Sequence, residues 1–173
     1  GLGRAYGGGG IIMKTGGFTF SRVMKYVVLG LLIAFVVLLM IYASGSSRPF
    51  EEVEDAVSSS LDKSNLVRKD GAAFKREFGL SEADYAGVMY YASEFSISAE
   101  EVLVILVKDE SQVQEVMEAI DRQVEARKND FDGYAPEEVK LLEDAKQSVR
   151  GRYIFFAAAP KAEEYLETFS SSL

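Results

Sequence analysis

The apolar positions change their spacing along the chain. From Tyr26 to Ala43 they run almost unbroken, YVVLGLLIAFVVLLMIYA, and no charged residue stands between Lys25 and Arg48. About 20 apolar residues suffice to cross a bilayer core, so the pattern predicts a transmembrane helix over residues 26–43. Tyr26 and Tyr42 sit near its two ends, where interfacial aromatics prefer to lie. A buried soluble helix is the alternative, but such a helix is seldom apolar all round for this length.

Beyond SGSSRP, a polar tether over residues 44–49, the period becomes helical. Phe50, Val53, Val57 and Leu61 fall on one face with acids on the other. KSNLVRK reads as a break. DGAAFKREFGL reads as a short helix with Asp70 as N-cap and Gly79 as its stop. Two strands follow, GVMYYAS (residues 87–93) and the continuous apolar run VLVILVK (102–108), which suits a strand covered on both faces. The connection EFSISAEE permits an antiparallel pair.

The clearest helix starts at Ser111, with Ser111 and Gln114 as a capping box. Val113, Val116, Met117, Ile120, Val124 and Phe131 form its apolar face. DGYAP turns the chain, and Pro136 suits the first position of another helix. That helix, with Val139, Leu142, Ala145 and Val149 on one face, is expected to stop at Gly151. RYIFFAAAP is then a third strand, antiparallel to the second, and KAEEYLETFS a closing helix. The expected fold class is α+β: an N-terminal transmembrane helix, then one domain over residues 50–173 with a small, mainly antiparallel three-stranded sheet packed with helices.

Charge orients this plan. Residues 1–43 hold Arg4, Lys14, Arg22 and Lys25 and no acid. The basic segment 13–25 precedes the apolar run, so the N-terminus is expected in the cytoplasm and the domain on the extracytoplasmic face of a cell membrane. A cleaved signal peptide is the rival, with Ala43–Gly45 as small residues for cleavage; the apolar run exceeds the usual signal core. All 27 acids lie beyond residue 43, within a net charge of −8. Nucleic acid is therefore not an expected partner, since its binding needs a basic footprint.

Gly7–Gly10 end two codons before Met13. Glycine codons resemble a purine-rich ribosome-binding site, so residues 1–12 are expected to be untranslated leader read in frame, with Met13 as the start. A flexible tail is the alternative.

There is no cysteine and no histidine. Disulfides, thiolate catalysis, zinc-thiolate sites and lipid attachment through cysteine are excluded, and so are the commonest general base and metal ligand. KNDFDGY has part of a calcium-loop pattern, but Lys128 and Val139 occupy two ligand positions, so a polar turn is the better reading. Glu51, Glu52, Glu54 and Asp55 read as a solvated helix face. The serine runs 58–60 and 170–172 have no histidine partner and read as helix ends. No metal or cofactor is expected.

Arg150 and Arg152 flank Gly151, and Tyr134 lies on the short DGYAP turn. These three are the candidate ligand- or partner-binding residues, because arginine and tyrosine recognise anions and partner surfaces. For the arginines the plainer reading is pairing with local acids. For Tyr134 it is a plug folded back into the core, and this is the expectation.

The segment NDFDGYAPEEVKLLEDAKQSVRGRYIFFAAAP, with Glu100 and Glu101 before the strand Val102–Asp109, resembles a bacterial family described as domain of unknown function 4358. Phe131, Tyr134, Pro136, Gly151 and Tyr153 carry the likeness, which covers roughly residues 50–170. The resemblance implies an envelope protein, lipid-linked or membrane-anchored, and brings no catalytic residues. This chain lacks the lipoprotein cysteine. The function expected is a membrane-anchored, non-catalytic binding module of the bacterial cell envelope, taking an envelope protein or a small ligand. The alternative is a carboxylate-dependent cell-wall hydrolase, which needs two acids in one cleft with one of them desolvated.

Overall fold

The computed structural model describes the backbone of residues 5–43 and 49–173, with side chains described over 20–39 and 49–173. The expected tether lies outside the described residues except for Pro49, as do residues 1–4 of the expected leader. The chain forms two units, an N-terminal helix and the domain that follows it.

Helix α1 spans Ala5–Ala43. It takes in the glycine run and the basic segment as well as the expected 26–43 span. Its stretch Phe20–Leu39 has a mean hydropathy of 2.3 and contains no buried residue. It is long and apolar enough to cross a membrane, and a signal sequence near an N-terminus has the same character.

The domain is a five-stranded, wholly antiparallel sheet, not the expected three-stranded one. Its elements are α2 (Phe50–Ser60), β1 (Leu66–Arg68), α3 (Gly71–Phe78), β2 (Gly87–Ser93), β3 (Glu101–Leu106), α4 (Val113–Phe131), α5 (Pro136–Glu143), β4 (Lys146–Arg150), β5 (Tyr153–Ala158) and α6 (Ala162–Ser172). The strand order is β1-β2-β3-β5-β4, which puts the apolar β3 in the centre. β2 and β5 both pair with it antiparallel, as expected.

The two unexpected strands are the two edges. β1 lies in the stretch read as a break; it has three residues and buries only Leu66. β4 lies where the second half of a helix was expected. The helical spacing of Val139, Leu142 and Ala145 is real, but α5 ends at Glu143 and KQSVR pairs with β5 instead. Gly151 is therefore a hairpin glycine and not a helix stop: it takes φ 61° in the two-residue loop between β4 and β5. Edge strands carry polar residues and little alternation, which is why pattern alone missed both.

The other local signals hold. The Asp70 side chain accepts from the Ala73 N–H at 2.9 Å, and Gly79 closes α3 with φ 70°. Pro136 opens α5. The box ahead of α4 sits two residues earlier than expected, formed by Asp109 and Gln112 around a short 3-10 turn.

Alternation along the strands sends side chains to two faces. One face, with Met89, Tyr91, Val102, Val104, Tyr153 and Phe155, packs on α2 and α6 through Val53, Val57, Tyr165 and Phe169. The other, with Val88, Tyr90, Leu103, Ile105, Ile154 and Phe156, packs on α3, α4 and α5.

The sheet also has two distinct ends. Gly87, Leu106, Tyr153 and Arg150 are in register at one, and Ser93, Glu101 and Ala158 lie toward the other. The chain enters the domain at the first, hereafter the near end. There the Phe50 ring lies so close over Gly87 that a Cβ would collide with it. The opposite edge of the strands is the far end.

Candidate binding site

At the far end, α3, α4 and the β2–β3 connection enclose a cleft of about 380 Å³. This lies in the range of small-ligand sites, ~300–1,000 Å³. α3 contributes Arg76 and Glu77, α4 contributes Arg127 and Asp130, and Lys69 follows β1. Tyr90 and Ala92 of β2 form the floor, and the connection supplies Glu94, Phe95 and Ser98.

The backbone of that connection is tied down from several sides. The Arg127 guanidinium donates to the Ser98 carbonyl at 2.8 Å, and Ala99 N–H donates to the Glu138 carboxylate at 2.7 Å. Asn65 is the hub on the other flank. Its carbonyl accepts from Ser93 Oγ at 2.8 Å, and its amide donates to Ser98 Oγ at 3.1 Å and to Glu100. Phe95 and Ile97 nevertheless point outward, 62% and 70% exposed. The connection is thus a fixed backbone displaying two large apolar side chains, a preorganised form that lowers the entropic cost of binding.

Beneath the cleft lies a buried polar network. Glu101 leads β3 and is fully buried. Its Oε2 accepts from Gln123 Nε2 at 2.8 Å and, more weakly, from Tyr90 Oη at 3.4 Å. Its Oε1 has no partner among the described residues, and the same holds for Gln123 Oε1 and Arg127 Nε. Burial pushes the Glu101 carboxyl up to about 7, with the Arg127 charge and the Gln123 hydrogen bond opposing the rise. A protonated Glu101 gains a donor, whereas the ionised form holds bare lone pairs out of water. Burial likewise raises Tyr90.

Arg127 connects the network to the cleft. It lies one helical turn beyond Gln123, stands 3.8 Å from Glu77, and covers the Phe131 ring at 5.4 Å. Glu100 lines the cleft and is raised above the usual carboxylate range by burial, then by Glu138 and Asp62. Among the described residues, no group of three or more acids is placed to hold a metal ion.

The candidates named from sequence do not form one surface. Tyr134 is 62% exposed, so it is not the core plug that was expected. The slot beneath the turn is filled by Phe131 and Ala135, both buried, and the tyrosine ring leans on Phe131 at 5.8 Å. It lies at the far end, next to α4 residues that line the cleft. Arg150 ends β4 and Arg152 follows Gly151, both at the near end. Arg152 donates to the Lys108 carbonyl at 3.4 Å, and its own carbonyl accepts from Val107 N–H.

The cleft itself was missed, because its residues come from separate elements. A signal for the network was present, however. Glu101 occupies the same alternating positions as Leu103 and Ile105, and Gln123 falls on the α4 stripe of Val116, Ala119 and Ile120. Two polar residues stand where the period demands core.

The architecture is that of a three-layer α/β/α domain on an antiparallel sheet, preceded by an apolar helix. Residues 59–159 match the family model described as domain of unknown function (DUF4358), more than half of the chain, and the chain belongs to that family. The matched region runs from the last turn of α2 to the end of β5, so it takes in every strand and the cleft. No curated protein and no solved structure matches the chain.

Proposed function

We propose that this chain is a membrane-anchored, non-catalytic binding module of the bacterial cell envelope. Its domain stands on the extracytoplasmic face and engages an envelope protein or a small ligand at its far end. The observation that carries the reading is a coincidence of place. Among the described residues of the domain, five large apolar side chains are exposed. The three most exposed, Phe95, Ile97 and Tyr134, all lie at the end that holds the cleft, whereas Val67 (38%) and Val149 (42%) lie on the edge strands. Exposed apolar groups gathered in one place mark contact surfaces. Lys14, Arg22 and Lys25, which precede the apolar run within α1, support the orientation.

Photo-crosslinking residues placed in cells at Phe95, Ile97 or Tyr134 are expected to capture a partner that the same group at Val149 does not. Equal capture at all four positions, or none, overturns the reading. Protease added to intact protoplasts is expected to remove residues 50–173; protection until lysis reverses the orientation.

One observation favours the hydrolase as a second reading: Glu100, raised by burial, shares the cleft with Glu77, Glu94 and Asp130. That reading requires release of wall fragments by the full chain and its loss in Glu100→Gln.

A further inference from the structure

The charges in the cleft differ in how they are occupied. Arg127 pairs with Glu77 and also donates to the Ser98 carbonyl. Glu100 is held by Asn65. Four others line the cleft with side chains that make no hydrogen bond or ion pair among the described residues: the cations Lys69 and Arg76, and the acids Glu94 and Asp130. Lys69 and Arg76 come from the β1 and α3 side, Glu94 from the β2–β3 connection and Asp130 from α4. Of the two aromatic rings in the lining, Tyr90 is buried in the floor and Phe95 is exposed beside these charges.

We infer that the cleft takes a short peptide with free termini. Its carboxylate meets Lys69 and Arg76, its ammonium meets Glu94 and Asp130, and an apolar side chain lies on the Phe95 ring. This rests on the binding reading above and names the ligand class for the same end of the domain. The charge pattern argues against the simpler ligands. A plain anion would face Glu94 and Asp130 as well as the cations, and a plain cation would face Lys69 and Arg76. A ligand with both charges satisfies both pairs at once, and charge-assisted hydrogen bonds to a carboxylate are the strong ones. The volume of about 380 Å³ admits two or three residues and not a folded chain. The tied connection keeps Phe95 in place before the ligand arrives.

The test uses the full chain held in nanodiscs and a mixed pool of tripeptides in three forms: free, C-terminally amidated and N-terminally acetylated. Retained peptides are quantified by mass spectrometry. Free peptides with an apolar side chain are expected to be retained, and either block is expected to reduce retention about tenfold, the size of one lost charged contact. In the double variant Lys69→Gln/Arg76→Gln, the amidated and free forms should be retained alike, while the penalty for acetylation persists. Glu94→Gln with Asp130→Asn should show the converse. These side chains are exposed or half-buried at the surface, so folding is not at stake. Retention of no peptide, or equal retention of all three forms by the unaltered protein, overturns the inference. The cellular crosslinks at Ile97 and Tyr134 do not depend on this result. Partner capture there with no peptide in the cleft leaves the binding module standing and removes only its peptide ligand.

Discussion

Against α2 and α6, the buried side chains of the sheet are apolar or aromatic: Val102, Val104 and Phe155 interlock with Phe169 of α6, with no buried charge among them. Against α3, α4 and α5, the same strand β3 presents Leu103 and Ile105 and also Glu101, and α4 answers with Gln123. The only two buried polar residues among the described ones are on this second side. A domain of this size has no stability reason to bury a carboxylate, since an apolar residue of similar shape commonly serves as well or better. The first face is a packing surface. The second gives up part of its packing to hold polar groups under a cleft.

The largest expected effect tests the packing face. Phe155 is fully buried and stacks on Phe169, ring centroids 5.1 Å apart. Phe155→Ala should cost about 3–5 kcal/mol, as large aromatic truncations do, when measured by denaturant unfolding of the domain within the full chain. A loss below about 1 kcal/mol would mean that this face is not the structural one.

The next concerns Glu101. Its folded carboxyl is raised to about 7 from an ordinary 4.5. Between those two values the folded state holds a proton that the unfolded state has released, so stability falls as pH rises. The contribution is complete below about pH 4.5 and is lost through pH 7. Its full span is on the order of 3 kcal/mol for a shift of this size. Glu100, raised in the same direction, adds to the trend, so the informative quantity is the difference between wild type and Glu101→Gln. That difference should narrow as pH falls from 8 to 5. A constant difference across this range would show that Glu101 does not titrate there.

The smallest effect is the sharpest for function. Burial of Tyr134 would make its truncation costly; its observed exposure makes Tyr134→Ala nearly neutral, within about 0.5 kcal/mol. The same substitution should weaken partner capture at the far end. A large loss of stability would return Tyr134 to the core.

Much of the fold was legible because its signals are local. Capping by Asp70, the positive φ of Gly79, Pro136 at a helix start and the run Val102–Val107 each report on a few neighbouring residues, and each was read correctly. The edge strands were not legible, since β1 and β4 owe their form to the neighbours they pair with and not to their own pattern. Val149 shows the difficulty: it continues a helical stripe in sequence, yet it pairs with Ile154 and lies 42% exposed. The cleft was hidden for a related reason. Lys69, Arg76, Glu94 and Asp130 are ordinary surface residues one at a time, and only tertiary structure brings them together. Tyr134 was expected in the core and is exposed instead, because nothing local says that Phe131 fills the slot first.

Phe50 lies over Gly87 at the near end, and α6 runs back toward that end from β5. Its Phe169 ring reaches Tyr153 at 6.2 Å, and Leu173 packs in the same apolar cluster. The two ends of the described domain are therefore neighbours, both on the side away from the cleft. For anyone building with this protein, that makes the far end a clear workspace. A fluorescent reporter or affinity handle joined after Leu173 would hang beside the incoming polypeptide, where it shades neither Phe95 nor the cleft. The domain could equally be spliced into a surface loop of a host protein, with both junctions on one side and the cleft facing outward.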